Sequence, residues 1–549
     1  MRRTSIAALL AALCWLAAPA RAQYSDVILQ GFYWNSHPGD VSDNQDGGIW
    51  WDSLATVAPQ LAEAGFGTVW TPPMTKSFGG LWDMGYGIKD YYDLGSYNQN
   101  GSIRTRHGNL AQFQAMMSAL HGNGLNVMAD IVLNHRGGAD GQAAYEVPWG
   151  GPTPYTIFNP ASGRFPGVPA HFHPNSFHPD QNPDYRNNLF FEDLCYFNQN
   201  DQVPPPGGWY FGAPPFGLGA VGDSLIAWGR WLMNDVGFDE MRLDAVKHID
   251  HAFLAKFLTE VYNGEQPFAV GESFDYGISN LAGYHSLVTT SANSGNKAAR
   301  LSLFDFPLRA NLKTLLNNTG GGADIYQLLD GNDGLVWGSA LTGFDVVTWL
   351  DNHDTDRIGF AGGSGTPPAC GVGEIPSGNS CLVLTTEGGH DPIFSDKEDM
   401  GYPFLMAAEG RPSVFWKDYF WFGMKEDIDW LMALRKQQAQ GGSVPISGLN
   451  GFWPQGSPYD GDNNGGNTYA MRRDGLSSGS SDGMILGLND HPSKQGGLWV
   501  DGPFSNKFLK DYSDGFLFVP QQAFANGRAF VRTAPRDYSW WSLTGHRAR

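Results

Sequence analysis

The chain has 549 residues, a net charge of −20 and a pI of about 5.0. That balance excludes polyanions such as nucleic acid as natural partners, and the length suits one large domain with satellites. Its 72 Gly, 19 Trp, 21 Tyr and 34 Phe describe many loops and many aromatic faces, as a sugar-binding cleft has, although an aromatic core gives the same totals.

Residues 1–22 read as an export signal. Arg2 and Arg3 give a positive end, Ile6 to Ala18 an apolar stretch too short to span a bilayer, and Ala20-Arg21-Ala22 an A-x-A cleavage site before Gln23. The mature protein is therefore expected in the periplasm or the medium, without a membrane partner, because no later segment is apolar enough to cross one. Cleavage leaves Cys195, Cys370 and Cys381. Cys370 and Cys381 bracket a Gly/Ser/Pro-rich loop, and an oxidising compartment favours their pairing. Cys195, in the apolar run LFFEDLCYF, reads as a buried free thiol.

Strand and helix patterns then alternate. VILQGFYW (27–34) is β-rich, and WDSLATVAPQLAEAG (51–65) is an amphipathic helix closed by Gly65. Strand FGTVWTPP (66–73), helix LAQFQAMMSALHGNG (110–124) and the long buried strand LNVMADIVLNH (125–135) follow. This order argues for a parallel α/β architecture. Between 136 and 216 the helical period stops among Gly, Pro, His, Asn and aromatics, so a small irregular subdomain is expected after the third strand.

The alternation resumes with helix SLIAWGRWLMNDVG (224–237), strand GFDEMRLD (237–244), helix HAFLAKFLTEVY (251–262) and strand PFAVGES (267–273). SLFDFPL (302–308), FDVVTWLDN (344–352) and RPSVFW (411–416) complete eight strand candidates, the count of a (β/α)8 TIM barrel. A second irregular insertion, 360–399, carries the cysteine pair. After helix DIDWLMALRKQQAQ (427–440), GGSVPISGLNG (441–451) reads as a linker, and short β-like runs beyond it predict a C-terminal antiparallel β domain. The domain plan is 1–22 signal, 23–135 and 217–440 barrel, 136–216 inserted subdomain, and 441–549 C-terminal domain.

Three of the strand-like segments close on a carboxylate: Asp244, Glu272 and Asp354. Retaining glycosidases need a nucleophilic carboxylate and a protonated partner about an oxocarbenium-like transition state, and barrels mount such groups at the C-terminal ends of their strands. DIVLNH (130–135), RLDAVKH (242–248), GES (271–273) and DNHD (351–354) occur in this order, flanked by QGFYW (30–34), GYGIKDYYDLG (85–95) and RDYSWWS (536–542). Together they resemble the four signature regions of the α-amylase family, glycoside hydrolase family 13, over nearly all of the mature chain.

The resemblance implies roles. Asp244 matches the nucleophile, Glu272 the general acid/base and Asp354 the transition-state stabiliser. Arg242, two residues before Asp244, projects from the same strand face and is expected to keep that carboxylate ionised. Asp244 and Asp354 should in turn hold Glu272 protonated. His135 and His353 match histidines that bond sugar hydroxyls, and Tyr86 a platform that stacks on the sugar. Lys247 and His248 match a pair that contacts glucose units on the leaving-group side. The bland alternatives are strand-end Asp residues that cap helices, a structural histidine and a core tyrosine.

Asn134, Asp193 and the His248 carbonyl resemble the ligands of a calcium ion at the barrel–subdomain junction, an oxygen set suited to Ca²⁺. Asp180 and Asp184 read as ordinary turns. Arg242, Asn352 and Lys417 resemble the chloride-binding residues of some members, with a surface-facing Lys417 as the alternative. Glu240 stands where many relatives carry Gly, and a buried Glu there needs a cationic partner.

The function implied is a secreted, monomeric, retaining endo-hydrolase of α-1,4 bonds in starch, glycogen or maltooligosaccharides. The alternatives are an exo-acting maltooligosaccharide-forming hydrolase or transglycosylase of the same family, and a starch-binding protein with a dead barrel.

Overall fold

A computed structural model describes residues 24–34, 36, 50–142, 155–168, 171–172, 192–194, 196, 220–291, 298–320, 323–329, 334–355, 374–377, 380–383, 391–446, 466–476, 482–513 and 520–544. The export-signal reading, Cys195 and Cys370 lie outside them. Cys381 lies on a short strand, Ser380–Val383, of which only the backbone is described.

Eight strands form a closed barrel: β1 (Ile28–Gln30), β2 (Thr68–Trp70), β3 (Asn126–Ile131), β4 (Glu240–Leu243), β5 (Ala269–Gly271), β6 (Ser302–Phe304), β7 (Val346–Trp349) and β8 (Arg411–Phe415). Each pairs in parallel with its neighbours in sequence, and the ring closes where Ile28 lies opposite Ser413. All eight coincide with the expected segments. The barrel residues are buried on both faces apart from Asn126 at the start of β3, as expected for parallel strands walled by helices.

The helices carry the local signals that sequence rules ask for. Helix α1 (Trp50–Ala64) buries Trp51, Leu54, Ala58 and Leu61 along one stripe. Helix α2 (Leu110–Gly122) starts with a capping box between Asn109 and Gln112, and α4 (His251–Glu260) is capped by Asp250. The helix expected over 224–237 is two pieces. Helix α3 (Ala220–Trp231) widens into a π turn, Leu232–Val236, and ends at Gly237 in the left-handed region (φ 92). Helices α5 (Ile278–Thr290), α6 (Phe306–Leu316) and α8 (Lys425–Gln438) flank the later strands, with a short α7 (Tyr402–Ala407) before β8.

Backbone ladders tie the described part of the first insertion to the end of the β3 segment and to itself. His135–Arg136 pairs with Glu192–Asp193, and Gly141–Gln142 with Tyr155–Ile157.

The expected linker is in part a strand. Ser443–Ile446 (β9) pairs antiparallel with β10 (Thr468–Arg473), because its four residues are too few to show alternation on their own. With β11 (Met484–Asn489), β15 (Asp537–Leu543), β13 (Phe508–Asp511) and Gln521–Gln522 they form one antiparallel sheet; β12 (Gly496–Asp501) and β14 (Arg528–Thr533) form a ribbon. Tyr469, Met471, Leu486, Leu488 and Trp540 join the barrel's core, while Ile485, Leu498, Val500 and Val531 make a second core with the ribbon. The C-terminal sheet is thus apolar on both faces. Among the described residues no helix is long and apolar enough to cross a membrane.

Candidate active site

The site is organised by one arginine. Arg242 is the third residue of β4, and the ladder sets it opposite Asp130 of β3. Its side chain is fully buried, with Nη1 2.7 Å from Asp130 Oδ1 and 2.8 Å from Asp244 Oδ1, and Nη2 2.6 Å from Glu272 Oε2. The guanidinium also lies over Trp70, 5.2 Å from the ring centre. Three carboxylates therefore face one cation.

The backbone fixes where the carboxylates stand. The Asp244 N–H donates to Ile131 O and the Glu272 N–H to Leu243 O, so both strand ends remain tied to their neighbours. Ala245 follows in the left-handed conformation (φ 47, ψ 41), a cost of roughly 1–2 kcal/mol for a residue with a Cβ. The turn points the Ala245 N–H at Glu272 Oε2, 3.4 Å away. Strain beside Asp244 is thus spent on placing its partner.

Asp354 is presented by a turn. Asn352 Oδ1 accepts the N–H groups of Asp354 and Thr355, leaving the Asp354 side chain 35% exposed with Oδ2 3.2 Å from His353 Nε2. Gln30 Nε2 donates to His353 Nδ1 at 2.7 Å, which fixes the proton on Nε2. Nε2 lies 2.7 Å from the Tyr86 hydroxyl, which donates to Asp130 Oδ2 at 2.8 Å. A relay Gln30–His353–Tyr86–Asp130–Arg242 thus crosses the barrel mouth. Trp34 lies parallel to Tyr86, ring centres 6.0 Å apart.

Burial sets the proton affinity of this cluster. Burial pushes Asp244 up to about 8, against the pull of Arg242 and with a further push from Glu272. Burial likewise takes Asp130 up to about 6. Burial and Asp130 hold the Tyr86 hydroxyl far above its usual range, so it stays a donor. Asp130 and Asp244 share the one guanidinium, so the protonation of each depends on the other.

The other expected residues fall around this centre. His135 is buried, its Nε2 3.0 Å from Tyr86 O and its Nδ1 3.4 Å from Asn134 Nδ2, so it braces the Tyr86 loop. Lys247 donates to Phe274 O at 2.7 Å, beside the exposed rings of Phe274 and Tyr276. His248 is buried in the turn after β4.

Lys417 is buried, not at the surface, and lies against the rings of Tyr33 and Trp421. Its burial removes the surface-facing alternative. Asn352 gives its Oδ1 to the Asp354 turn, and an anion would call on its amide nitrogen instead.

For the calcium set, the pairing of His135 with Asp193 and the bond from Leu194 N–H to Asn134 O bring the Asp193 backbone alongside the buried Asn134. Glu240 finds the cation it requires: Arg411 Nη1 is 2.7 Å from its Oε2.

Asp130 and Gln30 are the functional positions that sequence reasoning passes over. Asp130 had a signal, a lone charge inside the apolar run of β3, which must find a partner across the ladder. Gln30 had none.

A family described as "Alpha amylase, catalytic domain" matches residues 52–146. The α-amylase of Geobacillus stearothermophilus is 29% identical over 453 residues, 77% of this chain and 73% of the relative. The cytoplasmic α-amylase of Escherichia coli (strain K12) is 31% identical over 419 residues, 72% and 74%. A glucan 1,4-α-maltohexaosidase of Bacillus sp. (strain 707) is 28% identical over 420 residues, 71% and 73%. Among solved structures, an α-amylase of Geobacillus thermoleovorans complexed with acarbose superposes with a TM-score of 0.58 at 17% identity, covering 96% of this chain and 100% of that one. At that identity the likeness speaks for the fold.

Proposed function

The chain belongs to the α-amylase family, and from that premise we propose that it is a retaining endo-hydrolase of α-1,4-glucosidic bonds in starch, glycogen and maltooligosaccharides, acting outside the cytoplasm as a monomer. The observation that carries the reading is the pair of carboxyls, Asp244 and Glu272, held by the two ends of one buried guanidinium. Such a bridge suits the short carboxyl separation of retaining enzymes, about 5–5.5 Å.

In the first step an Asp244 oxygen bonds to the anomeric carbon as the glycosidic bond breaks, and Glu272 gives its proton to the leaving oxygen. In the second, Glu272 takes a proton from water, whose oxygen displaces Asp244 and leaves the α-anomer. Asp354 lies against the positive charge that develops between. This reading requires Glu272 to carry a proton when substrate is bound. Asp130 and Tyr86 hold the guanidinium and the aromatic wall in place.

Ca²⁺ would be held by the Asn134 side-chain oxygen, the Asp193 carboxylate and the His248 carbonyl. It would supply a clamp between insertion and barrel, with no part in bond breaking.

Interior attack is supported by Lys247, Phe274 and Tyr276, which can seat glucose units beyond the cleaved bond. The exo-acting reading is kept because one relative carries the name maltohexaosidase. The test is hydrolysis of amylose followed by anomeric NMR and iodine staining together. The expected result is α-product with iodine colour collapsing before reducing ends are abundant. A β-product would refute double displacement, and persistent colour with one short oligosaccharide accumulating would replace endo by exo action.

A further inference from the structure

A cavity of about 520 Å³ opens at the other end of the barrel. It is bounded by the segments entering β5, β6 and β7, by Tyr24 ahead of β1, and by His285 and Thr289 of α5. Its volume lies within the range of small-molecule sites.

The apolar wall is aromatic. Tyr24 meets Phe268 edge-on at 5.0 Å and Phe344 at 5.2 Å, and Phe344 remains 42% exposed. Arg411 lies beneath Phe268, 4.4 Å from the ring centre, so that ring is fixed from behind.

The polar groups on the wall fall into two sorts. Gln266 is spent on both backbone groups of Arg300, and Ser302 on Phe344 O. His285 and Arg300 are not so engaged. His285 Nε2 is buried, makes no hydrogen bond and stands 3.7 Å from Asp345 Oδ1, a gap too long for a direct bond. The Arg300 guanidinium is exposed, and no described residue accepts a hydrogen bond from it. Asp345 Oδ2 accepts from the Thr342 N–H and hydroxyl, so Oδ1 is the oxygen left beside His285. The wall thus offers two donors, one carboxylate oxygen and an aromatic face.

An anionic ligand would suit Arg300 but meet Asp345, and an apolar ligand would answer neither His285 nor Arg300. A sugar ring satisfies them together. One hydroxyl can accept from His285 and donate to Asp345, a second can accept from Arg300, and the C–H face of the ring can lie on Phe344. We propose that this cavity is a second saccharide-binding site, which takes the end of a glucan chain on the barrel face opposite the carboxylates; the choice of glucan rests on the function proposed above. Holding a polymer there raises the local concentration of further chain without blocking the cleft.

The probe is maltotriose, titrated calorimetrically into the full-length Asp244→Asn protein and into the same protein carrying Phe344→Ala and Arg300→Ala. Both added substitutions are at exposed positions. Two classes of site are expected in the parent and one in the variant. In the otherwise wild-type enzyme, the two substitutions should leave kcat on a short maltooligosaccharide within about twofold and raise KM on soluble starch by about threefold or more. A single class in the parent, or a second class that survives both substitutions, overturns the floor site. Absence of any hydrolysis by the wild type would instead sink the catalytic reading, while the titration would still report on the cavity.

Discussion

Strand β4 carries a charged residue at each end of the barrel, and the two are treated differently. At the floor, Glu240 is met by both terminal nitrogens of Arg411, by Thr68 Oγ1 and by Asn126 Nδ2, and Arg411 also bonds Asp26. At the mouth, two residues later, Arg242 faces Asp130, Asp244 and Glu272. The floor cluster has a donor for each oxygen of Glu240. The mouth has more negative charge than it can neutralise. The first arrangement yields stability, and the second gathers carboxylates of raised proton affinity about one buried guanidinium, at the cost of folding energy.

The largest effect that could break this contrast is kinetic. Asp244→Asn should lower kcat at least about a thousandfold, a barrier rise of ~4 kcal/mol, while the melting temperature holds, and rises above about pH 8, where one buried negative charge is gone. Steady-state kinetics and calorimetry on one preparation check both halves. A variant that melted early would place Asp244 among structural groups, like Glu240.

The converse substitution, Glu240→Ala, should cost about 3 kcal/mol or more of stability by leaving Arg411 short of its main partner. Turnover per folded molecule should stay close to wild type. Urea unfolding gives the first quantity and active-site titration the second; loss of turnover in folded protein would mean that the two ends are coupled through β4.

The proposed calcium ion would add a clamp belonging to neither end. Stripping the metal should lower stability, and restoring Ca²⁺ to a hundredfold excess over Kd should return roughly 2.7 kcal/mol. The same melting curve in stripped and reloaded protein, with metal content measured directly, would remove Asn134 and Asp193 from the ligand set.

The smallest effect is the pH slope. The folded pKa of Asp244, about 8, lies above the ordinary value of about 3.9, so the folded protein binds more protons across that window. The stability this contributes is fully present below about pH 4 and is lost as pH rises through about 8. The Asp244→Asn protein should therefore show a shallower fall in melting temperature between those limits. Parallel curves for the two proteins would mean that another group carries the slope.

Much of this was legible in the sequence for local reasons. Strand β3 announces itself as an apolar run, α2 by its Asn109–Gln112 capping box, and the three strand-end carboxylates by where their segments stop. What was not legible depended on register. That Arg411 answers Glu240 requires knowing that residues 171 positions apart meet on the barrel floor. The sharing of Arg242 by Glu272 as well as Asp244 appears only when β3, β4 and β5 are laid side by side. Gln30 fixes the tautomer of His353 across 323 positions, and no spacing rule could reach that far.

Ring closure between β1 and β8 also has a temporal meaning. Asp26 and Arg411 are separated by 385 positions, so the last ladder of the barrel is among the least local contacts in the chain. Contacts of that kind form slowly, because the entropy of closing the loop precedes any gain from pairing. Until β8 docks, Glu240 has no guanidinium, and the central strand must wait with a charge that its neighbours cannot yet bury. Refolding from denaturant should accordingly end in a slow phase that Arg411→Ala removes or delays. On this view the floor ion pair acts as a latch that reports completion, and the mouth becomes competent only after the ring has shut.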